Sequence, residues 1–168
     1  MKKSLLLTAL FVVMGSVAVF AGPRAIGGRL GYGVEFSYEH GLNSGNMVSL
    51  DAGLAGFGTG LEVAATHDWI FNISAWDKKG SWNWYAGVGA GVGAYDLFYS
   101  SLPNRFYVGV AGRIGAEYNF WFPLQLSLDW RPVVGPHFYN DGNANVVRFN
   151  YDGLYQGGLC LGVRYLFH

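Results

Sequence analysis

From residue 22 onward this chain alternates apolar and polar residues with a period of two, and its charges fall in the same phase as its smallest residues. Between Phe106 and Tyr118 the even positions are apolar except Gly112, while the odd positions hold Tyr107, Arg113 and Glu117 among small residues. Leu124, Leu126, Leu128 and Trp130 interleave with Gln125, Ser127, Asp129 and Arg131. Leu159, Leu161, Val163, Tyr165 and Phe167 interleave with Cys160, Gly162 and Arg164. A strand sends successive side chains to opposite faces, so each segment has one bulky apolar face and one polar or tiny face. A helical period would scatter the same charges around its axis. The pattern predicts an all-β fold.

Following the phase through the chain predicts strands near 24–32, 33–41, 47–57, 60–73, 82–96, 105–120, 124–136 and 153–167. Turn-forming residues cluster at Gly41 to Asn46, Ser100 to Asn104 and Asn140 to Asn145. Ala25 to His40 reads either as one long strand bent at Gly31-Tyr32-Gly33 or as two. Closure into an antiparallel barrel with both ends on one side requires an even count, which splits the segment and gives eight strands. Loops are then expected at 31–33, 57–60, 97–105 and 137–152 at the end away from the termini.

The assignment of faces selects the environment. In a water-soluble barrel the inner face is apolar, whereas lipid reverses the arrangement. Here Arg29, Glu35, Asp51, Glu62, Arg113, Glu117, Asp129, Arg131 and Arg164 share a face with glycine and serine. The other face carries Phe36, Tyr38, Leu50, Leu54, Trp69, Phe71, Trp84, Val88, Ile114 and Trp130. An eight-stranded lumen is only wide enough for side chains to fill. The large residues therefore belong outside, and the reading is a transmembrane up-and-down barrel facing membrane lipids. The run Ala86-Gly87-Val88-Gly89-Ala90-Gly91-Val92-Gly93-Ala94 then turns its glycines into a lumen crowded by Arg and Tyr from neighbouring strands. It lacks the Lys-Ser/Thr and the spacing of a phosphate loop.

The first 21 residues read differently. Met1-Lys2-Lys3, the apolar run Leu5 to Val13, and Ala18-Val19-Phe20-Ala21 have the layout of a secretory signal peptide cleaved after Ala21. Residues 22–168 would form the barrel, with 9 basic residues against 11 acidic ones once Lys2 and Lys3 are removed. That balance gives no electrostatic basis for binding nucleic acid. Charged residues are only 13% of the chain, and hydrophobic residues 51%, which excludes disorder. The single cysteine, Cys160, closes no intrachain disulfide and reads as a small packing residue. Trp82, Trp84, Phe120, Trp121, Tyr165 and Phe167, with Trp76, Tyr85 and Phe122 nearby, fall close to turns and the chain end. They are expected to form an aromatic girdle at the membrane boundary on the side of the termini.

The leader, the eight alternating segments in 147 residues and the apolar-aromatic last strand resemble the small outer-membrane barrels of the OmpA/OmpX type. Trp84-Tyr85-Ala86-Gly87-Val88-Gly89, Glu117-Tyr118-Asn119-Phe120 and Pro123-Leu124-Gln125-Leu126-Ser127-Leu128-Asp129-Trp130-Arg131-Pro132 are similar to uncharacterised outer-membrane barrels of Gram-negative bacteria. The resemblance implies an outer-membrane location, periplasmic termini and insertion by the barrel-assembly machinery. That machinery reads an aromatic last residue in the family; here Phe167 is followed by His168.

For chemistry, the inward charges Glu35, Glu39, Asp51, Glu62, Asp68, Glu117 and Asp129 against Arg29, Arg113, Arg131 and Arg164 can be a narrow pore or a paired plug. Burying unpaired charge is costly, so the plug is preferred. The expected role is structural or surface-interacting, without catalysis and without a cofactor, and the surface ligand is left unspecified. The alternative is an outer-leaflet lipid deacylase or acyltransferase, with His137, Ser100, Ser101, Asp141 and Asp152 converging at the outer rim. No nucleophile-elbow motif supports it. The four histidines His40, His67, His137 and His168 show no paired metal-ligand spacing. His67 falls anomalously in the lipid-facing phase.

Overall fold

The computed structural model describes residues 22–56, 59–76, 78–97, 105–140, 144–150 and 158–167. Their strands are β1 Gly22–Leu30, β2 Val34–Asn43, β3 Asn46–Ala55, β4 Gly60–Asn72, β5 Ser81–Tyr95, β6 Arg105–Asn119, β7 Gln125–Trp130, β8 Val133–Asn140, β9 Asn145–Asn150 and β10 Leu159–Leu166. Each strand pairs antiparallel with its sequence neighbours through β6. β1 pairs with β10 from Ala25↔Leu166 to Leu30↔Leu161, which closes the sheet. A single 3-10 turn, Ser74–Trp76, is the one helical element among the described residues.

Ten segments make eight barrel strands. β7 and β8 are one strand interrupted at Arg131-Pro132, and both lie along β6: β7 against Ile114–Asn119, β8 against Arg105–Ala111. Proline has no N–H to give the ladder, so the pairing breaks there. Pro132 still accepts a bond from the Gly112 amide at 2.9 Å, and the Arg131 amide donates to Gly158 at 2.7 Å. β9 and β10 together form the last strand, against β8 and β7 respectively. Ala25–His40 is two strands, with Leu30 facing Val34 across the reversal at Gly31–Gly33.

The expected loop 137–152 is corrected. His137 to Asn140 continue β8, and Asn145 to Asn150 run back beside them as β9. The two strands are paired up to Asn140↔Asn145, where Asn140 Nδ2 donates to Asn145 Oδ1 at 3.0 Å. His137-Phe138-Tyr139 and Val146-Val147 are β-favouring residues that keep the ladder going beyond the strand ends read at 136 and 153. The loop regions 57–60 and 97–105 lie partly outside the described residues.

Among the described residues thirty large apolar side chains are exposed, including Phe36, Leu50, Leu54, Trp69, Phe71, Trp84, Val88, Ile114 and Trp130, while arginines and carboxylates are buried. This is the inverse of a water-soluble core. Glycine makes the interior possible by standing beside the large polar groups. Arg29 lies opposite Gly162, Arg164 opposite Gly27, and Arg113 and Asp68 flank Gly87. In the β5 glycine run the space is taken by Asp68 at Gly87, Val133 at Gly91 and the Tyr107 ring at Gly93, so the crowding groups are more varied than Arg and Tyr. A Cβ at Gly93 would overlap that ring, which Glu62 holds in place. Gly93→Ala is therefore expected to cost about 1–3 kcal/mol, measured by urea unfolding.

Candidate functional site

The buried charges form two ion-pair clusters. In the first, Arg24 pairs with Glu39 and Glu117, and Arg164 lies 3.3 Å from Glu39. Gln125 Nε2 donates to Glu39 and Glu117, each at 3.1 Å, and Asn83 Nδ2 to Glu117 at 2.8 Å. In the second, Arg29 pairs with Glu35, with Asp51 at 3.1 Å and with Asp129. Arg113 reaches Asp68 at 3.1 Å and Asp129 at 3.2 Å. Arg131 donates from Nη2 to Glu35 at 2.5 Å and Glu62 at 2.6 Å. Ser37 joins the clusters, accepting from Arg164 Nε at 2.9 Å and donating to Asp51 at 2.6 Å.

The first cluster balances two guanidiniums with two carboxylates; the second sets three against five. Neutral donors serve the excess. Ser49 and Thr66 donate to Asp68 at 2.6 and 3.0 Å, Tyr85 to Asp129 at 3.0 Å, and Tyr107 to Glu62. The two clusters contain the eleven charged residues read as inward from the sequence: Arg29, Glu35, Glu39, Asp51, Glu62, Asp68, Arg113, Glu117, Asp129, Arg131 and Arg164.

Above the second cluster, at the end away from the termini, opens a vestibule of about 210 Å³. Glu35, Glu62, Arg131 and Cys160 line it with Tyr32, Tyr95, Tyr107 and His137. The rings of Tyr95, Tyr107 and His137, from β5, β6 and β8, stack side by side at 5.3 and 5.2 Å. Asp96 and Arg105, 3.4 Å apart, stand at its rim. Asp96 adopts a left-handed backbone (φ 63°) as the chain leaves β5, a conformation Asp tolerates better than most residues. His137 thus points into the vestibule from a strand and not from a loop. Ser100, Ser101, Asp141 and Asp152 lie outside the described residues, so the converging rim site has only His137 placed. The described vestibule lining contains no serine. Among the described residues no group of three His, Cys, Asp or Glu is arranged to hold a metal.

The aromatics expected to form a girdle sit at the end that carries the termini. Trp76, Trp82, Tyr118, Phe120, Trp121 and Phe122 form a continuous series of ring contacts, Phe71 stacks on Trp84 at 4.2 Å, and Tyr165 meets Phe167 at 5.2 Å. Tyr85 does not join them: it is wholly buried and serves Asp129 in the lumen. His67 keeps its outward phase and packs edge-on to Trp69 at 4.9 Å, while His40 Nδ1 lies 2.8 Å from the Tyr38 hydroxyl.

Arg24 is the charged residue that sequence parity misses. By alternation it belongs with outward Ile26, but the β1–β2 register skips it between Pro23↔His40 and Ala25↔Glu39. An extra residue in one strand reverses the phase locally and turns the guanidinium inward. The proline beside it was the available signal for a bulge. No family model, curated protein or solved structure matches this chain.

Proposed function

We propose that the chain is an integral barrel of a Gram-negative outer membrane, with periplasmic termini, a lumen closed by its ion-paired side chains, and a structural or surface-interacting role without catalysis. The observation that carries the reading is the polarity. Among the described residues, thirty large apolar side chains are exposed while arginines and carboxylates are buried inside the barrel. Water-soluble monomers rarely expose contiguous apolar patches beyond a few hundred Å², whereas lipid rewards this arrangement. The ring of aromatics at the terminal end fits a headgroup boundary, and the leader-like first 21 residues fit export.

The lumen argues against a pore, because Arg24, Arg29, Arg113 and Arg131 each bridge carboxylates from different strands and so span the bore. The lipid-modifying alternative could draw on His137, but the described vestibule lining contains none of the serines that reading called on. The purified protein is expected to migrate faster on a detergent gel before boiling than after, and to give no steady conductance in a planar bilayer. Stable ion conductance would overturn the closed lumen. A soluble protein with no heat-dependent mobility would overturn the membrane assignment. Lipid deacylation or acyl transfer that disappears in His137→Ala would establish the enzyme instead.

A further inference from the structure

The β4–β5 turn, at the end that carries the termini, sets two exposed cations beside exposed rings. Lys78 and Lys79 both reach solvent, and no carboxylate among the described residues pairs with either. Asp77 lies outside the described residues; counted formally, Asp77-Lys78-Lys79 still carries one net positive charge. The other charged side chains described near this end, Arg24, Glu39 and Glu117, turn into the lumen and pair with one another. The turn is held on both sides. The Ile73 amide donates to the Trp82 carbonyl at 2.7 Å. Gly80 packs so closely on β6 that a Cβ there would lie 2.8 Å from the Tyr118 hydroxyl and overlap the Asn119 carbonyl oxygen. Trp76, 60% exposed, lies 5.8 Å from the Trp82 ring, and Trp82 lies 4.8 Å from Tyr118. The two lysines thus stand at the head of a series of ring contacts that continues through Phe120 to Trp121 and Phe122.

A soluble anion would meet the lysines and leave the rings in water. Hydrocarbon alone would cover the rings and leave the lysines without a counter-charge. A ligand with an anionic group at the edge of an apolar body meets both demands, and that is the build of an anionic phospholipid. Lysines close to an anionic leaflet are attracted to it, and tryptophan rings settle at headgroup level. We propose that the β4–β5 turn holds an anionic phospholipid of the leaflet at the terminal end. Its phosphate accepts from Lys78 and Lys79, and its upper acyl region lies against Trp76 and Trp82. The inference rests on the membrane reading and names the lipid class that this reading leaves open.

The test is tryptophan quenching in protein folded into phosphatidylcholine vesicles that carry a minor share of brominated phosphatidylglycerol or brominated phosphatidylcholine. Bromine quenches tryptophan on contact, so the ratio of the two signals reports which lipid sits at the rings. Phosphatidylglycerol should be preferred about fivefold at low salt, as one net positive charge near an anionic surface implies, and salt should screen the preference away. The double substitution Lys78→Gln, Lys79→Gln should abolish the preference, and Lys78→Arg, Lys79→Arg should keep it. Both variants should retain the heat-dependent gel mobility of a closed barrel. Equal quenching by the two lipids in the folded wild type overturns the proposal, as does a preference that survives in the folded glutamine variant. Binding of soluble polyglutamate without any lipid preference also overturns it, since the lysines would then serve an acidic peptide. Quenching by neither lipid would take the protein out of the bilayer and sink the membrane reading itself, whereas equal quenching leaves that reading standing.

Discussion

Arg29→Ala is expected to lower the unfolding free energy of the barrel by about 3–5 kcal/mol, the range for removing one partner of a buried ion pair. Arg29 is a fully buried guanidinium that touches Glu35, Asp51 and Asp129, carboxylates carried by three different strands. Glu35 keeps Arg131, and Asp129 keeps Arg113. Asp51 keeps only the Ser37 hydroxyl and a distant Arg131 contact at 3.7 Å. The second cluster would then hold two guanidiniums against five carboxylates in a medium that cannot solvate them. Urea unfolding in lipid vesicles measures the loss. Adding Asp51→Asn should recover part of it, and the double-mutant cycle reports the coupling directly. An Arg29→Ala barrel that unfolds at the wild-type urea concentration would mean that the lumen is wet enough to screen these charges.

On the proposed membrane reading, Val88→Arg is expected to destabilise the barrel in lipid by about 2–4 kcal/mol. Val88 lies midway along β5, beside His67 and Gly112, and is 49% exposed on the outer face. In water a long cation at so open a site would be close to neutral, since surface substitutions away from special features stay within about ±0.5 kcal/mol. In a bilayer the guanidinium must be drawn into hydrocarbon or must bend toward a distant headgroup. The same substitution at exposed Val147, toward the vestibule end of the barrel in the β8–β9 hairpin, should cost less, since the penalty falls toward a membrane interface. Unfolding of both variants in vesicles separates the environments. Equal, small effects would remove the physical basis for a membrane-spanning belt.

Much of this architecture is legible from local pattern. Period-two alternation is a property of each strand alone, so Leu128 outward and Asp129 inward follow from parity without knowledge of any partner. Parity also assigned eleven network charges to one face, and Leu30–Val34 as a reversal followed from the even-strand requirement. Parity fails where the ladder does. The bulge at Arg24 inverts one residue, so an arginine that balances Glu39 and Glu117 was not visible from its neighbours. Pro132 breaks one strand into β7 and β8, and the turn cluster at Asn140–Asn145 proved to be a hairpin tip and not the middle of a long loop.

The sequence alone determined which residues share a face and that the charged face is the small one, because both depend only on side-chain spacing and volume. The tertiary structure alone decided which arginine meets which carboxylate. Those partners lie as far apart as Arg29 and Asp129 in the chain, and only closure of β1 onto β10 sets the register that brings them together. It also decided that the surplus carboxylates gather under the vestibule, since the sum of charges is a property of composition but their distribution along the bore is a property of strand stagger.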